Sequence, residues 1–160
     1  MFGKLFGKKA GLKVLSPVAG EAVSITQVND STFSEEILGK GIAIRPSAGR
    51  VVSPVNGKVI QMFETGHAVT LESEEGVEIL IHVGLDTVRL KGKHYIIHAH
   101  AGDQVKAGDL LMEFDNDSIK SEGFDTITPV VICNTGDFES VDALSVYLVN
   151  ELDEIMEIKK

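Results

Sequence analysis

A five-residue pattern, Ser-Pro-Val-x-Gly, occurs twice in this chain, at residues 16–20 and 53–57, and each copy is followed by a run of strand-forming residues. Glycine and proline recur at short intervals elsewhere, and few windows keep the 3.6-residue period of a helix. Short strands with turns between them predict an all-β fold. The internal repeat indicates a duplicated unit that closes on itself as a sandwich or barrel.

Two short helices are expected within this β pattern. Residues 34–38 follow the candidate caps Asp30 and Ser31 and end before Gly39. Residues 115–122 contain a candidate cap, Asp115 or Asp117, and end before Gly123. The C-terminal region stays open between two interpretations. Apolar positions from 141 to 155 keep a helical spacing, whereas residues 144–149 are rich in strand formers.

Two strand-like segments, residues 63–71 and 76–86, are joined by a polar turn that contains glycine, which predicts a β-hairpin. Each segment carries one histidine. With a two-residue loop, His67 lies opposite His82 or one diagonal step away, so both imidazoles share one sheet face. Val69 and Leu80 would share that face. A three-residue loop would instead place these side chains of the two segments on opposite faces.

The charge distribution indicates which kinds of molecule the protein can bind. The net charge of −9 over 160 residues argues against a nucleic-acid-binding surface. Residues 1–13 hold four lysines and no acid, which leaves 11 basic against 24 acidic side chains and a net charge of −13 in residues 14–160. We expect residues 1–13 to be a flexible basic segment, with a weak membrane-surface contact as the alternative. Residues 14–160 are predicted to form a single domain.

The location of the protein follows from what the chain lacks. A single cysteine excludes an internal disulfide and fits a reducing compartment. No run of 18 apolar residues is present, and the first residues are too short and polar for a secretory signal. These features predict a cytoplasmic protein. The cysteine, Cys133, is expected to lie on an apolar strand and to be buried.

Five histidines are the candidate functional residues. His94, His98 and His100 are interpreted as structural, because His98 and His100 could share a strand face but have no evident third ligand. His67 and His82 form a pair, which is either structural or suited to phosphoryl transfer. One neutral imidazole can attack phosphorus while the second donates an N–H to the phosphoryl oxygens.

The order of motifs resembles the glucose-family enzyme IIA proteins of the bacterial phosphoenolpyruvate-dependent sugar phosphotransferase system. The matching segments around the two histidines are Phe-Glu-Thr-Gly-His-Ala at residues 63–68 and Glu-Ile-Leu-Ile-His-Val-Gly-Leu-Asp-Thr-Val at residues 78–88. Further matching segments are residues 17–20, 39–46, 54–57, 90–92 and 128–131. The resemblance implies an antiparallel β-sandwich with a duplicated hybrid motif, and it favours strands near the C-terminus.

The resemblance also implies roles for individual residues. His82 would be phosphorylated, His67 would support it, Thr65 would orient His67, and Asp86 lies in the matching loop after His82. The donor would be the histidine-containing phosphocarrier protein, and the acceptor a cysteine on the IIB domain of a sugar permease. Positions matching the family's docking face, with ordinary core as the alternative, are Phe33, Ile37, Leu38, Phe63, Val69 and Leu80.

Other motifs in the sequence suggest three alternative functions. A zinc-dependent peptidase with a duplicated motif would use His82-x-Gly-x-Asp86 and a His-x-His pair, but here that pair precedes the Gly-Asp turn at residues 102–108 instead of following it. A biotin- or lipoate-carrying module would need a Met-Lys-Met hairpin, which is absent. Regulatory binding to other proteins is compatible with phosphotransfer. No cofactor is required, although His67 and His82 could bind zinc together with a partner's carboxylate.

Overall fold

The secondary structure between residues 11 and 160, the part of the chain that the computed structural model describes, consists of fourteen short strands, two short α-helices and three 3₁₀ turns. The strands are β1 (Leu12–Leu15), β2 (Gly20–Ser24), β3 (Lys40–Pro46), β4 (Arg50–Val52), β5 (Gly57–Met62), β6 (Ala68–Ser73), β7 (Glu78–His82), β8 (Tyr95–Ile97), β9 (Gln104–Val105), β10 (Leu110–Phe114), β11 (Thr128–Ile132), β12 (Ser140–Ala143), β13 (Leu148–Val149) and β14 (Glu154–Lys159). The helices are α1 (Ser31–Ser34) and α2 (Asn116–Ser121).

These strands form three antiparallel sheets. The largest has the order β13-β2-β3-β11-β7-β6-β5-β9, and the two smaller sheets have the orders β1-β14-β12 and β4-β10-β8. The main hydrophobic core takes side chains from all three, including Ile81, Met112 and Ile158. The predicted all-β antiparallel fold is therefore confirmed.

The two Ser-Pro-Val-x-Gly copies adopt the same local structure. Ser16 and Ser53 are fully buried, and each hydroxyl donates a 2.7 Å hydrogen bond to the carbonyl two residues later. Gly20 and Gly57 begin β2 and β5, and a Cβ at either position would lie 2.1 Å from a backbone carbonyl oxygen of the adjacent strand. Only glycine fits so close to a neighbouring backbone, which explains the last position of the pattern.

The duplication extends to a second loop in each repeat. The Ser53 carbonyl accepts from the Gly108 N–H at 2.9 Å, and the Ser16 carbonyl accepts from the Leu152 N–H at 2.8 Å. Gly108 has φ +97°, and Leu152 has φ +73° in the matching place. In this left-handed region, the Cβ of leucine causes a steric strain that glycine avoids.

The predicted hairpin is formed by β6 and β7, but its loop has three residues, 74–76, and not two. The Ser73 N–H donates to the Val77 carbonyl at 2.9 Å, and Gly76 has φ +87°, as expected for a three-residue hairpin loop. The additional loop residue reverses which side chains of β6 and β7 share one face of the sheet. Val69 faces the main core, whereas Leu80 packs on the opposite face of the sheet.

The helices and the C-terminus differ from expectation in detail. Helix α1 is one turn long and ends at Ser34, the first of the predicted residues 34–38, because Glu36 has φ +58° and cannot continue a right-handed helix. Helix α2 lies within the predicted range 115–122. The C-terminal region forms β12, β13 and β14, so the helical spacing was misleading there.

The N-terminal boundary also differs. Strand β1 begins at Leu12, so Leu12 and Lys13 of the segment expected to be flexible pair with β14. The rest of the predicted membrane-contacting segment, residues 1–10, lies outside the described residues. From residue 11 onward, no helix is long and apolar enough to span a bilayer.

Candidate functional site

His67 and His82 meet at one end of the β6–β7 hairpin. His82 is the last residue of β7, and His67 immediately precedes β6. The Val83 N–H donates to the His67 carbonyl at 2.7 Å, which ties the two histidine segments together. The ring centroids are 5.0 Å apart, with the ring planes at 84°. The structure thus brings together the two imidazoles that were paired from the sequence.

The His82 ring is oriented by a backbone carbonyl. Its Nδ1 lies 2.7 Å from the Gly84 oxygen. Because a carbonyl oxygen only accepts, Nδ1 carries the hydrogen, and Nε2 of the neutral ring keeps its lone pair. Gly84 has φ +90°, and a Cβ there would lie 2.6 Å from Cγ2 of Thr87. Glycine at position 84 therefore permits the turn that presents this carbonyl to His82.

The His67 ring is oriented by a side chain. The Thr65 hydroxyl forms a hydrogen bond with Nδ1 of His67 across the turn at Gly66, which has φ +72°. Thr65 therefore makes the contact expected of a residue that orients His67. A hydroxyl partner can donate or accept, so this bond holds the ring plane while leaving either nitrogen free to carry the proton.

The surroundings of both rings favour the neutral imidazole. His67 is only 4% exposed, and burial, together with the nearby His82, lowers its pKa from 6.5 to about 4. Burial also lowers the pKa of His82, although the Gly84 carbonyl and the charges of Asp30 and Asp86 partly oppose this shift. At neutral pH, both imidazoles can therefore act through uncharged nitrogen.

The two carboxylates near His82 come from different parts of the chain. Asp86 is exposed, has φ +58° and immediately precedes a 3₁₀ turn, Thr87–Leu90. Asp30 caps α1 by accepting from the Thr32 N–H at 3.0 Å. Asp86 was predicted from the loop that follows His82. Asp30 was recognised only as a helix cap, because its approach to His82 depends on tertiary packing.

Aromatic rings border the imidazole pair. The Phe33 ring centroid lies 5.2 Å from that of His82, and the Phe63 centroid lies 5.5 Å from that of His67. Phe33 is buried together with Leu80, whereas Phe63 is half-buried. Aromatic neighbours exclude water from the imidazoles, and this desolvation favours the uncharged rings.

The remaining positions expected on a docking face separate into two groups. Ile37 and Leu38 are 65% and 40% exposed, so they are available to a partner. Val69 is completely buried in the main core, so its assignment to a docking face was wrong. The three-residue hairpin loop is the reason, because it turns Val69 inward.

Other chemically active side chains lie outside this site. His94 pairs with Glu122, and His98 Nε2 lies 2.8 Å from a Glu113 oxygen, so both imidazoles have structural partners. Cys133 is exposed, contrary to expectation, because β11 ends one residue earlier. Among residues 11–160, no group of three or more histidine, cysteine, aspartate or glutamate side chains is arranged to hold a metal ion.

Fold and site together define an antiparallel β-sandwich protein with a two-histidine centre. The chain belongs to the family described as phosphoenolpyruvate-dependent sugar phosphotransferase system, EIIA 1, whose model matches residues 12–138. It is 42% identical over 145 residues to the glucose-specific EIIA component of Staphylococcus epidermidis, covering 88% of this chain and 87% of that protein. It resembles the solved glucose permease IIA from Mycoplasma capricolum with a TM-score of 0.88 and 33% identity, covering 98% of this chain and 99% of that one.

A second type of relative is much longer. The beta-glucoside-specific EIIBCA component of Dickeya chrysanthemi is 48% identical over 132 residues, which is 82% of this chain but 21% of that protein. The chain therefore spans about a fifth of the length of the beta-glucoside-specific relatives that it matches. None of these relatives has the name of a peptidase, so the zinc-peptidase alternative gains no support from them.

Proposed function

We propose that this chain is a phosphocarrier of a sugar phosphotransferase system. His82 accepts a phosphoryl group from the histidine-containing phosphocarrier protein and passes it to a cysteine on the IIB domain of a sugar permease. The observation that supports this role most directly is the Nδ1 hydrogen bond of His82 to the Gly84 carbonyl, because it leaves Nε2 as an unprotonated nucleophile.

In the accepting step, the Nε2 lone pair of His82 attacks phosphorus in line. The new N–P bond forms as the N–P bond of the donor phosphohistidine breaks, and that bonding pair returns to the donor imidazole. Nδ1–H remains on the Gly84 carbonyl throughout. The lowered pKa of His82 assists, because a protonated ring would have no lone pair to offer.

His67 stabilises the transferred group. With the Thr65 hydroxyl donating to Nδ1, His67 carries its proton on Nε2 and can donate it in a hydrogen bond to a phosphoryl oxygen. In the onward step, a thiolate of the IIB domain attacks phosphorus, and the bonding electrons return to Nε2 of His82. Asp86 contributes through its negative charge, which partly opposes the lowering of the His82 pKa.

The apolar rim is the proposed docking surface for both partners. Ile37 and Leu38 are exposed, and Phe33, Leu80 and Phe63 belong to one apolar cluster whose two phenyl rings contact His82 and His67. The EIIBCA name of the longer relatives supports a IIB domain as the acceptor. The names of the relatives cover glucose and beta-glucosides, so we propose a sugar permease without specifying its sugar.

Several sequence predictions remain predictions. These are a cytoplasmic location, a membrane-surface contact through residues 1–13, a single domain over residues 14–160, and binding to regulatory targets. Zinc binding at His67 and His82 also remains a prediction. His67 and His82 offer two imidazole ligands, fewer than the four of a closed zinc site, so any zinc would need ligands from a partner.

The proposal is tested by incubating the chain with phosphoenolpyruvate, enzyme I and the phosphocarrier protein, then mapping the acid-labile phosphate. His82→Ala should abolish labelling, whereas His100→Ala, which removes an exposed imidazole, should leave it intact. His67→Gln should still accept phosphate but pass it on more slowly, since the amide keeps a hydrogen-bond donor. Labelling of the His82→Ala chain would refute the assignment.

A further inference from the structure

Tyr95 contacts the backbone between His82 and Gly84, the residue that orients the His82 ring. Its hydroxyl donates a 2.8 Å hydrogen bond to the Val83 carbonyl. Val83 lies between His82 and Gly84, whose carbonyl holds the His82 ring. The Val83 N–H is also bonded to the His67 carbonyl. The tyrosine hydroxyl therefore holds a peptide that is linked to both histidines.

The other end of the Tyr95 side chain supports the His67 turn. A Cβ built on Gly66 would lie 3.1 Å from the Cβ of Tyr95 and 3.1 Å from Cγ1 of Ile97. Strand β8, which carries Tyr95, belongs to the small β4-β10-β8 sheet and not to the sheet that carries the histidines. Tyr95 thus connects a second sheet to both histidine-bearing loops.

The hydroxyl is suited to be a permanent donor. Burial raises the pKa of Tyr95 to about 12, although the nearby Thr87 hydroxyl opposes the shift, so the phenol keeps its proton at neutral pH. Thr87 donates to the same Val83 carbonyl at 2.7 Å. The oxygen therefore accepts two side-chain hydrogen bonds, and loss of one would loosen the peptide without leaving the oxygen unpaired.

We propose that Tyr95 is a positioning residue that sets the orientation of the His82 imidazole through the Val83–Gly84 backbone, an inference that rests on the proposed phosphoryl transfer at His82. Without the tyrosine hydroxyl, this backbone has one restraint fewer, and the Gly84 carbonyl moves relative to Nδ1. The ring then samples orientations and tautomers in which Nε2 is a poorer nucleophile. Because small misplacements reduce rates strongly and Thr87 remains, we expect transfer to slow about 5- to 10-fold.

The test compares Tyr95→Phe with wild type and with a matched control, Tyr147→Phe. Tyr147 is 65% exposed and lies just before β13, so the control removes a hydroxyl of the same type from a solvent-facing position. Two readouts are needed: the ¹⁵N NMR signals of the His82 ring in the unphosphorylated chain, and the rate of labelling by the phosphocarrier protein. Only Tyr95→Phe should shift the His82 signals toward a tautomer mixture and slow labelling.

The two readouts separate this inference from the proposed function. Unchanged His82 signals in Tyr95→Phe would overturn the positioning role, even if the variant lost stability, because a merely structural role would leave the ring's tautomer alone. An unchanged labelling rate would also overturn it. A wild-type chain that is not labelled would refute the proposed function, and the NMR signals, recorded without phosphate, would still decide whether Tyr95 orients His82.

Discussion

Burial of a neutral His67 should make the stability of this protein depend on pH in a specific way. The pKa of His67 is about 4 in the folded chain, below its ordinary value of 6.5. The unfolded chain therefore takes up a proton at a higher pH than the folded chain does. Stability from this residue is complete above about pH 6.5 and is lost as the pH falls toward 4.

The size of this loss follows from the two pKa values. At pH 5, the ring would be almost fully protonated in the unfolded chain but largely neutral in the folded one. The resulting loss in the free energy of unfolding is about 2 kcal/mol relative to pH 7.5, and it would approach about 3 kcal/mol below pH 4. Because His67 is only 4% exposed, solvent screening should reduce this little.

Urea unfolding at pH 7.5 and pH 5 would measure the effect in three chains: wild type, His67→Gln and His100→Gln. Other groups, including His82, also titrate in this range, so the informative quantity is the difference between variants in the stability lost on acidification. His67→Gln should lose about 2 kcal/mol less than wild type. His100→Gln should behave like wild type, because it removes an exposed imidazole.

Equal losses in wild type and His67→Gln would refute the reasoning. Such a result would mean that His67 is not held neutral by burial. The proposed transfer mechanism would then lose the uncharged ring that lies 5.0 Å from His82. An NMR titration of the His67 ring offers an independent check, with its midpoint expected well below that of a histidine in a peptide.

Two further predictions concern the repeat and the docking surface. Leu152→Gly should raise the free energy of unfolding in urea by about 0.5–1 kcal/mol, because Leu152 occupies the left-handed position that glycine holds in the other repeat; an unchanged or lower value would contradict this. Ile37→Ser should slow phosphate acceptance while changing stability by less than about 0.5 kcal/mol, since Ile37 is 65% exposed. Val69→Ala should instead lower the unfolding free energy by about 2 kcal/mol without a specific effect on transfer, and the opposite pattern would restore Val69 to the docking surface.

The features predicted well from sequence are those encoded within a few neighbouring residues. Each Ser-Pro-Val-x-Gly copy predicts a strand immediately after it, and β2 and β5 begin at the glycines of the two copies. Helix α2 has its cap and its terminating Gly123 within one short segment. In each case, local hydrogen bonding and backbone conformation determine the element, so no distant partner had to be known.

The hairpin shows where such local patterns fail. Its strands were identified, but one additional loop residue decides which face of each strand meets the core. Both Val69 and Leu80 are apolar, so hydrophobicity could not show which one faces the main core. The conformation of Gly76, at φ +87°, makes the three-residue loop favourable. A glycine beside two glutamates is compatible with either loop length.

The site was predicted by residue type more completely than by geometry. His67 and His82 were paired from strand alternation, whereas the individual roles of His82, His67 and Thr65 follow from the resemblance of the motifs around them. The partners that orient and tune His82 had no such signal. Gly84 acts through its carbonyl oxygen, and Asp30 is brought close only by tertiary packing.

The reversed parity of the hairpin leaves the histidine pair intact because His67 is not part of the β6 ladder. It lies in the turn after Gly66, where φ +72° redirects the chain and frees the ring from strand alternation. His82 in turn depends on the bend at Gly84 immediately beyond β7. The pairing of β6 with β7 makes the hairpin rigid, and the bends at Gly66 and Gly84 set the positions of the two imidazole rings. Substitutions within the ladder should therefore affect mainly stability, whereas substitutions at the bends, or at residues that hold them, should affect mainly phosphoryl transfer.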